Sequence, residues 1–491
     1  MIATERRDRP WVALAAVASF LLRLRFLATP LGVDEAGALV AARSWAHGRH
    51  LYRDVFIDRP QGVVVLFQRW DALSPFGPSS IRLVAALAGF AAVWGAATVA
   101  RSISGTWQAG AAAAWVVAVL SSSAAFEGYA ANGELLAGGL TVPAMAIGAL
   151  VITRRLPSWA MAGAGVLAAA GMTMKQSGFD VGGALGLWLI LAFAFRWRRR
   201  PEAAAQLAWL AVGAAVVLGA VAVQGTTFGW EAYSYALYGF RAHARSAMAG
   251  PQLWRMALTI ALAVPLLLPV TVVSVQRLRA TGAPVRPRVR PEHALALVWL
   301  GLAVLAFAVG GNFHRHYWIE LTFPIAVLAG LCLAVPTRTG TVRQPPDATS
   351  LRRLLTWSLA LPLVLSLLVI AVPGIERDHR VDADIALARW YDQHRTPTST
   401  GLMPLCASVT YYADAGSLPR TRYLWVDHVR FGRGSTTELV RLLDAPDRPS
   451  YLALVQPLAK CDPTGRVRAA VARHYIRATT IEGVPVLRST N

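Results

Sequence analysis

Eleven apolar runs, spaced along the first three quarters of a 491-residue chain, constrain its fold more than any other feature. They fall near residues 11–28, 81–100, 108–125, 135–152, 158–174, 179–195, 205–223, 254–275, 293–310, 317–335 and 354–372. At about 20 residues each they match one bilayer crossing, and a crossing segment has to satisfy its own backbone hydrogen bonds, which a helix does. A hydrophobic content of 55% and a mean hydropathy of +0.45 exclude an ordinary soluble domain. The expected fold is an α-helical polytopic membrane protein of about 11 transmembrane helices, followed by a small C-terminal α/β soluble domain.

The net charge of +21 would suit nucleic acid, but the arginines cluster in short loops between the apolar runs. With the arginine-rich N-terminus in the cytoplasm as an uncleaved anchor, alternation puts Arg154-Arg155, Arg196 to Arg200, Arg277 to Arg290 and Arg338 to Arg353 on the cytoplasmic side. That is the positive-inside pattern, and it removes nucleic acid from the expected partners. The same parity places residues 126–134, the Lys175 junction, 226–253 and 312–318 outside. Only two lysines, Lys175 and Lys460, stand among 48 basic residues, so a lysine here is informative. A transporter or flippase would also carry intramembrane charge, yet the chain has no duplicated halves.

After Val372 the character becomes mixed and polar, with Pro373-Gly374 as the boundary. We expect a transmembrane domain over 1–375, containing a first external loop at 31–80, and an extracytoplasmic domain over 376–491. A helical pattern at 381–394 and strand-like pieces at Leu402, Tyr423, 451–455 and 484–487 support an α/β reading. Cys332 lies in an apolar run and reads as a core residue. Cys406 and Cys461 are the two cysteines outside the apolar runs, and an oxidising compartment would let them pair.

The stretch from Gly32 to Gly62, GVDEAGALVAARSWAHGRHLYRDVFIDRPQG, holds a density of charge that needs a reason. It opens on the pair Asp34 and Glu35 and closes on Asp58-Arg59-Pro60-Gln61. Residues 34–47 and 60–73 look amphipathic and too interrupted to span, so both are placed along the outer membrane surface. The acid pair also suits a simple helix cap. Arg23 and Arg25, in the outer half of the first helix, either snorkel to the headgroups or meet an anion.

This layout resembles the first external loop of the GT-C glycosyltransferases that use polyprenyl-phosphate sugars, the group of protein O-mannosyltransferases, aminoarabinose lipid A transferases and RgtA/B/C/D-like enzymes. In that family an acidic pair follows the first transmembrane helix and a basic residue precedes a proline about twenty-five residues later. Here that residue is Arg59 rather than lysine, and it offers a bidentate phosphate contact. The resemblance implies an inverting hexosyl- or pentosyltransferase with its active site outside the plasma membrane, taking a polyprenyl-phosphate-linked donor. It implies Asp34 as general base beside Glu35, with Glu134 of EGYAANGELLAGG as a second acid. Arg59, Lys175, Arg23 and Arg25 become candidate phosphate ligands. Tyr317, Arg315 and His316 of NFHRHYWIELTFP become candidate substrate contacts. Asp58, with His243, is the candidate site for a divalent metal ion.

Overall fold

The computed structural model describes residues 9–244, 252–261, 263–264, 267, 291–333, 348–372, 379–406 and 408–490. The chain divides into two compact units, each assembled from separated segments. The first comprises 1–28, 80–222 and 249–373; the second comprises 29–79, 223–248 and 374–491. The expected boundary near residue 375 is therefore one of several. Two segments expected in the transmembrane domain, 29–79 and 223–248, fold with the tail instead.

The first unit is helical. Among the described residues six helical stretches are long and apolar enough to cross a membrane: Arg9–Ala28, Pro78–Ser104, Gly133–Ile152, Gln176–Ala194, Arg200–Phe228 and Pro291–Gly310. Three more, Trp107–Ser121, Ser158–Met174 and Pro362–Ala371, are apolar but shorter. Of the eleven expected runs, half of 254–275 lies outside the described residues, as do the arginine stretches 277–290 and 338–347 entirely. The shortening has local causes. Ser121, Ser122 and Ser123 end the helix at 107–121, where Ser123 caps a short 3-10 turn. Gly105 takes φ +79 to close the helix before it, and Thr106 caps its first turn by accepting from the Ala109 amide.

Small residues bring these helices together. Ala92, Ala96, Ala100, Ala109 and Ala113 are buried alongside Trp188 and Trp299, in keeping with membrane bundles, where backbones approach over small side chains. Gly139 shows how tight the fit is, since a Cβ there would lie 2.5 Å from that of Ala88.

The second unit carries a four-stranded sheet of order β1-β2-β4-β3, with β1 Leu402–Pro404, β2 Tyr451–Ala453, β3 Tyr475–Ile481 and β4 Val484–Ser489. β1 runs parallel to β2, and the other pairings are antiparallel. A two-residue turn at Glu482 and Gly483, both at positive φ, joins β3 to β4, the geometry that suits a tight hairpin. The piece at Tyr423 joins no sheet but bridges to Phe56. Cys406 and Cys461 form the expected disulfide, with a Cα separation of 5.7 Å, and Cys332 is buried as expected.

The helix Val33–Ala46 departs from expectation. Residues 35–42 are all buried, and a Cβ on Gly37 would meet the Trp425 indole at 1.9 Å. It is a core helix of this unit rather than a surface one, because its run of small residues makes every face fit for burial. Its neighbour Gln61–Leu73 is half-buried, and the pair is clasped by a bidentate Arg43–Asp71 contact at 2.9 Å.

Candidate active site

Helix geometry separates the acid pair. Successive residues on a helix point about 100° apart, so one carboxylate turns in and the other out. Glu35 is buried, and its Oε2 accepts the Gly32 amide at 2.9 Å, closing the first turn. The capping role foreseen for the pair belongs to Glu35. Asp34 is 39% exposed, and its Oδ2 lies 3.2 Å from Nη2 of Arg59, itself 18% exposed. The Tyr52 hydroxyl donates to the Arg59 carbonyl at 3.0 Å, so the backbone beneath the guanidinium is fixed. The two most informative residues of the loop are thus brought together.

Asp58, the residue before it, faces other partners. Arg241 approaches Asp58 Oδ2 through Nε and Nη2, both at 2.9 Å, and His428 Nε2 stands 3.5 Å from Oδ1. Burial alone would raise the Asp58 carboxyl, but Arg241, His428 and Arg59 together hold it well below the usual carboxylate range. His243, its expected metal partner, is exposed. Among the described residues no group of three or more His, Cys, Asp or Glu side chains is placed to hold a metal. Asp58 and His428 supply one carboxylate and one imidazole, with a guanidinium already on the carboxylate. That donor set does not fit a metal cage, which wants three or four protein ligands.

A second cluster lies in the helical unit. Asn132 caps the helix Gly133–Ile152, which puts Glu134 in its first turn, and Lys175 terminates the helix Met161–Met174 with an extended backbone. Lys175 Nζ makes an ion pair with Glu134, stands 3.6 Å from Glu320 Oε1 and sits 3.5 Å over the Tyr317 ring. Ser177 donates to Glu320. His316 links Glu127, at 2.8 Å, to Glu134, at 3.6 Å, and Arg315 reaches Glu127 at 2.6 Å. Burial would raise the Glu127 carboxyl, but His316 and Arg315 bring it down to about 2. All five residues expected here, Glu134, Lys175, Arg315, His316 and Tyr317, therefore meet. Glu127 and Glu320 were overlooked, although both stand inside the quoted motifs. The cluster is closed, since the Lys175 side chain is 3% exposed and that of Glu134 1%.

Arg23 neither snorkels nor waits for a ligand. It is buried, and its guanidinium donates to Ser19, Ser121, Ser122 and the Gly128 carbonyl, at 2.6–3.2 Å. That pins the first helix to the 121–128 turn. Arg25 is half-buried. Arg82, buried and unremarked in the sequence, donates to the Phe26 carbonyl at 2.6 Å.

No known family profile and no curated protein matches the chain. Solved structures do. The chain is similar to ArnT from Cupriavidus metallidurans bound to undecaprenyl phosphate, at 15% identity, with 97% of each chain covered and a TM-score of 0.60. The chain has the GT-C fold. It is also similar to the oligosaccharyltransferase AglB from Archaeoglobus fulgidus, solved with an inhibitory peptide and a dolichol-phosphate. There the identity is 14%, the cover 98% of this chain and 74% of that one, and the TM-score 0.56. The Archaeoglobus enzyme has also been solved with Zn and sulfate, at 14% identity, 95% and 71% cover and a TM-score of 0.57. With several helices long and apolar enough to cross a membrane among the described residues, and this fold, the chain is a multi-pass integral membrane protein.

Proposed function

We propose that the protein is a glycosyltransferase that moves a monosaccharide from a polyprenyl-phosphate donor to a hydroxyl of an envelope glycan, glycolipid or protein, on the outer face of the plasma membrane. The observation that carries this reading is the pair formed by Asp34 and Arg59, an accessible carboxylate 3.2 Å from a guanidinium on a loop held from behind by Tyr52. The GT-C fold supports transfer over transport.

Each partner has a task. Arg59 binds the donor phosphate and steadies the charge that grows on it as the sugar departs. A phosphate that engages Arg59 competes with Asp34 for the guanidinium and so leaves the carboxylate free to take a proton. Asp34 then accepts the proton of the acceptor hydroxyl while that oxygen bonds to the anomeric carbon and the bond from that carbon to the phosphate oxygen breaks. The products are the glycoside, the polyprenyl phosphate and a protonated Asp34, and one displacement inverts the anomeric centre. Asp58, held by Arg241 and His428, fixes the residue next to Arg59, and no step is routed through a metal.

Purified variants separate these roles. Asp34→Asn keeps the size but not the basicity and should lower turnover by roughly two to four orders of magnitude, with undecaprenyl phosphate binding little changed. Arg59→Ala should weaken that binding as well as turnover. Near-normal transfer by Asp34→Asn overturns the assignment.

A further inference from the structure

The second unit encloses a cleft that the proposed reaction does not use. Segments 52–56, 226–235 and 422–433 wall a space of about 660 Å³, within the range of ligand pockets, roughly 300–1,000 Å³. Six of its fourteen lining residues are aromatic, and it opens to water, since Trp230 is 51% exposed. Planar donors stand beside the rings. The Arg433 guanidinium lies 4.3 Å from the Tyr235 ring centroid with its side chain 67% exposed, and Arg53 is 60% exposed. Glu231, 93% exposed and 3.8 Å from Arg433, adds an acceptor at the rim.

We infer that this cleft binds a saccharide chain, the non-reacting part of the acceptor. A wet ring face offers the apolar C–H face of a sugar a surface to stack on, and the forked guanidiniums and the carboxylate pair with its hydroxyls. A purely apolar ligand would leave these polar groups unmatched, and a small anion would leave the rings unused. The cleft also communicates with the loop. Tyr52, 2% exposed, forms part of its wall and donates its hydroxyl to the Arg59 carbonyl, so the cleft and the segment that carries Arg59 share one side chain. Only the term acceptor rests on the transferase reading; the binding stands apart from it.

The test uses the full-length protein in detergent and two fluorescently labelled probes, maltohexaose and a hexasaccharide of alternating glucuronate and N-acetylglucosamine, followed by polarisation without donor. At least one probe should bind saturably, roughly tenfold more weakly to Trp230→Ala and to Arg433→Ala. Trp230→Phe should restore most of the affinity, and Asp34→Asn should bind normally. Preference for the acidic probe assigns the cleft to acidic glycans, and equal binding assigns it to neutral ones. Failure of both probes to bind, or unaltered affinity in Arg433→Ala with a normal gel-filtration profile, overturns the proposal. Because no donor is present, a protein that binds saccharide but transfers nothing refutes the reaction and leaves the cleft.

Discussion

Lys175 and Arg59 are both cations that the sequence offers as phosphate ligands, and the structure gives them opposite surroundings. Lys175 is enclosed, balanced by Glu134 and Glu320 and covered by the Tyr317 ring. Arg59 is partly exposed and pairs with Asp34, a carboxylate that is itself open to water. A ligand can displace Asp34 from Arg59 at small cost, because exposed ion pairs contribute about 0–1 kcal/mol. Displacing Glu134 or Glu320 from Lys175 would strand a buried charge, which costs several kcal/mol. Availability, more than charge, separates a binding group from a structural one.

The largest test of that contrast removes the enclosed cation. Lys175→Ala leaves two buried carboxylates without their ammonium and should destabilise the helical unit by about 3–5 kcal/mol, whereas Asp34→Asn should change thermal unfolding by no more than about 0.5 kcal/mol. Lys175→Arg tests shape, because the compact ammonium fits between two carboxylates and a planar fork does not. A Lys175→Ala protein that unfolds normally but no longer binds undecaprenyl phosphate breaks the comparison.

Much of this was legible in the residues. The apolar runs marked the helices, the charge density of 32–62 marked the loop, and the scarcity of lysine drew attention to Lys175. Other parts depended on contacts that sequence order hides. Arg241 and His428 reach Asp58 from distant segments, so nothing local signals them. The burial of Val33–Ala46 follows from the tail packing on it, through Trp425 against Gly37. Glu127 was visible in EGYAANGELL, but the first-turn position of Glu134 made that residue look the better candidate. β3 was missed because its mixed exposure obscures the alternation that marks a strand.

A chelator probes the accessible side of the comparison with a smaller expected effect. With Arg241 on its carboxylate, Asp58 should keep its place after dialysis against EDTA, and transfer should change less than about twofold. Asp58→Asn should instead weaken donor binding by roughly tenfold, the size of one charge-assisted hydrogen bond, through loss of the support beside Arg59. Activity that falls on chelation and returns with Zn²⁺ or Mg²⁺ would move Asp58 into a metal site and the guanidinium out of it.

The smallest effect concerns the rim of the enclosed cluster, where Glu127 meets Arg315 and His316. Its carboxyl lies near 2 in the folded protein against an ordinary 4.5. A depressed carboxylate contributes stability that is fully present above the unfolded value and is lost as pH falls through the folded one. The window is therefore pH 4.5 down to about 2, and physiological pH lies wholly on the stabilised side. Glu127 is 30% exposed, so solvent screens part of the interaction. Glu127→Gln should lower the melting temperature by about 2–4 °C, by the same amount at pH 8 and pH 6, with the gap to the parent closing only below about pH 4.5. A gap that closes between pH 8 and pH 6 would overturn the assignment of this stability to the Glu127 carboxylate.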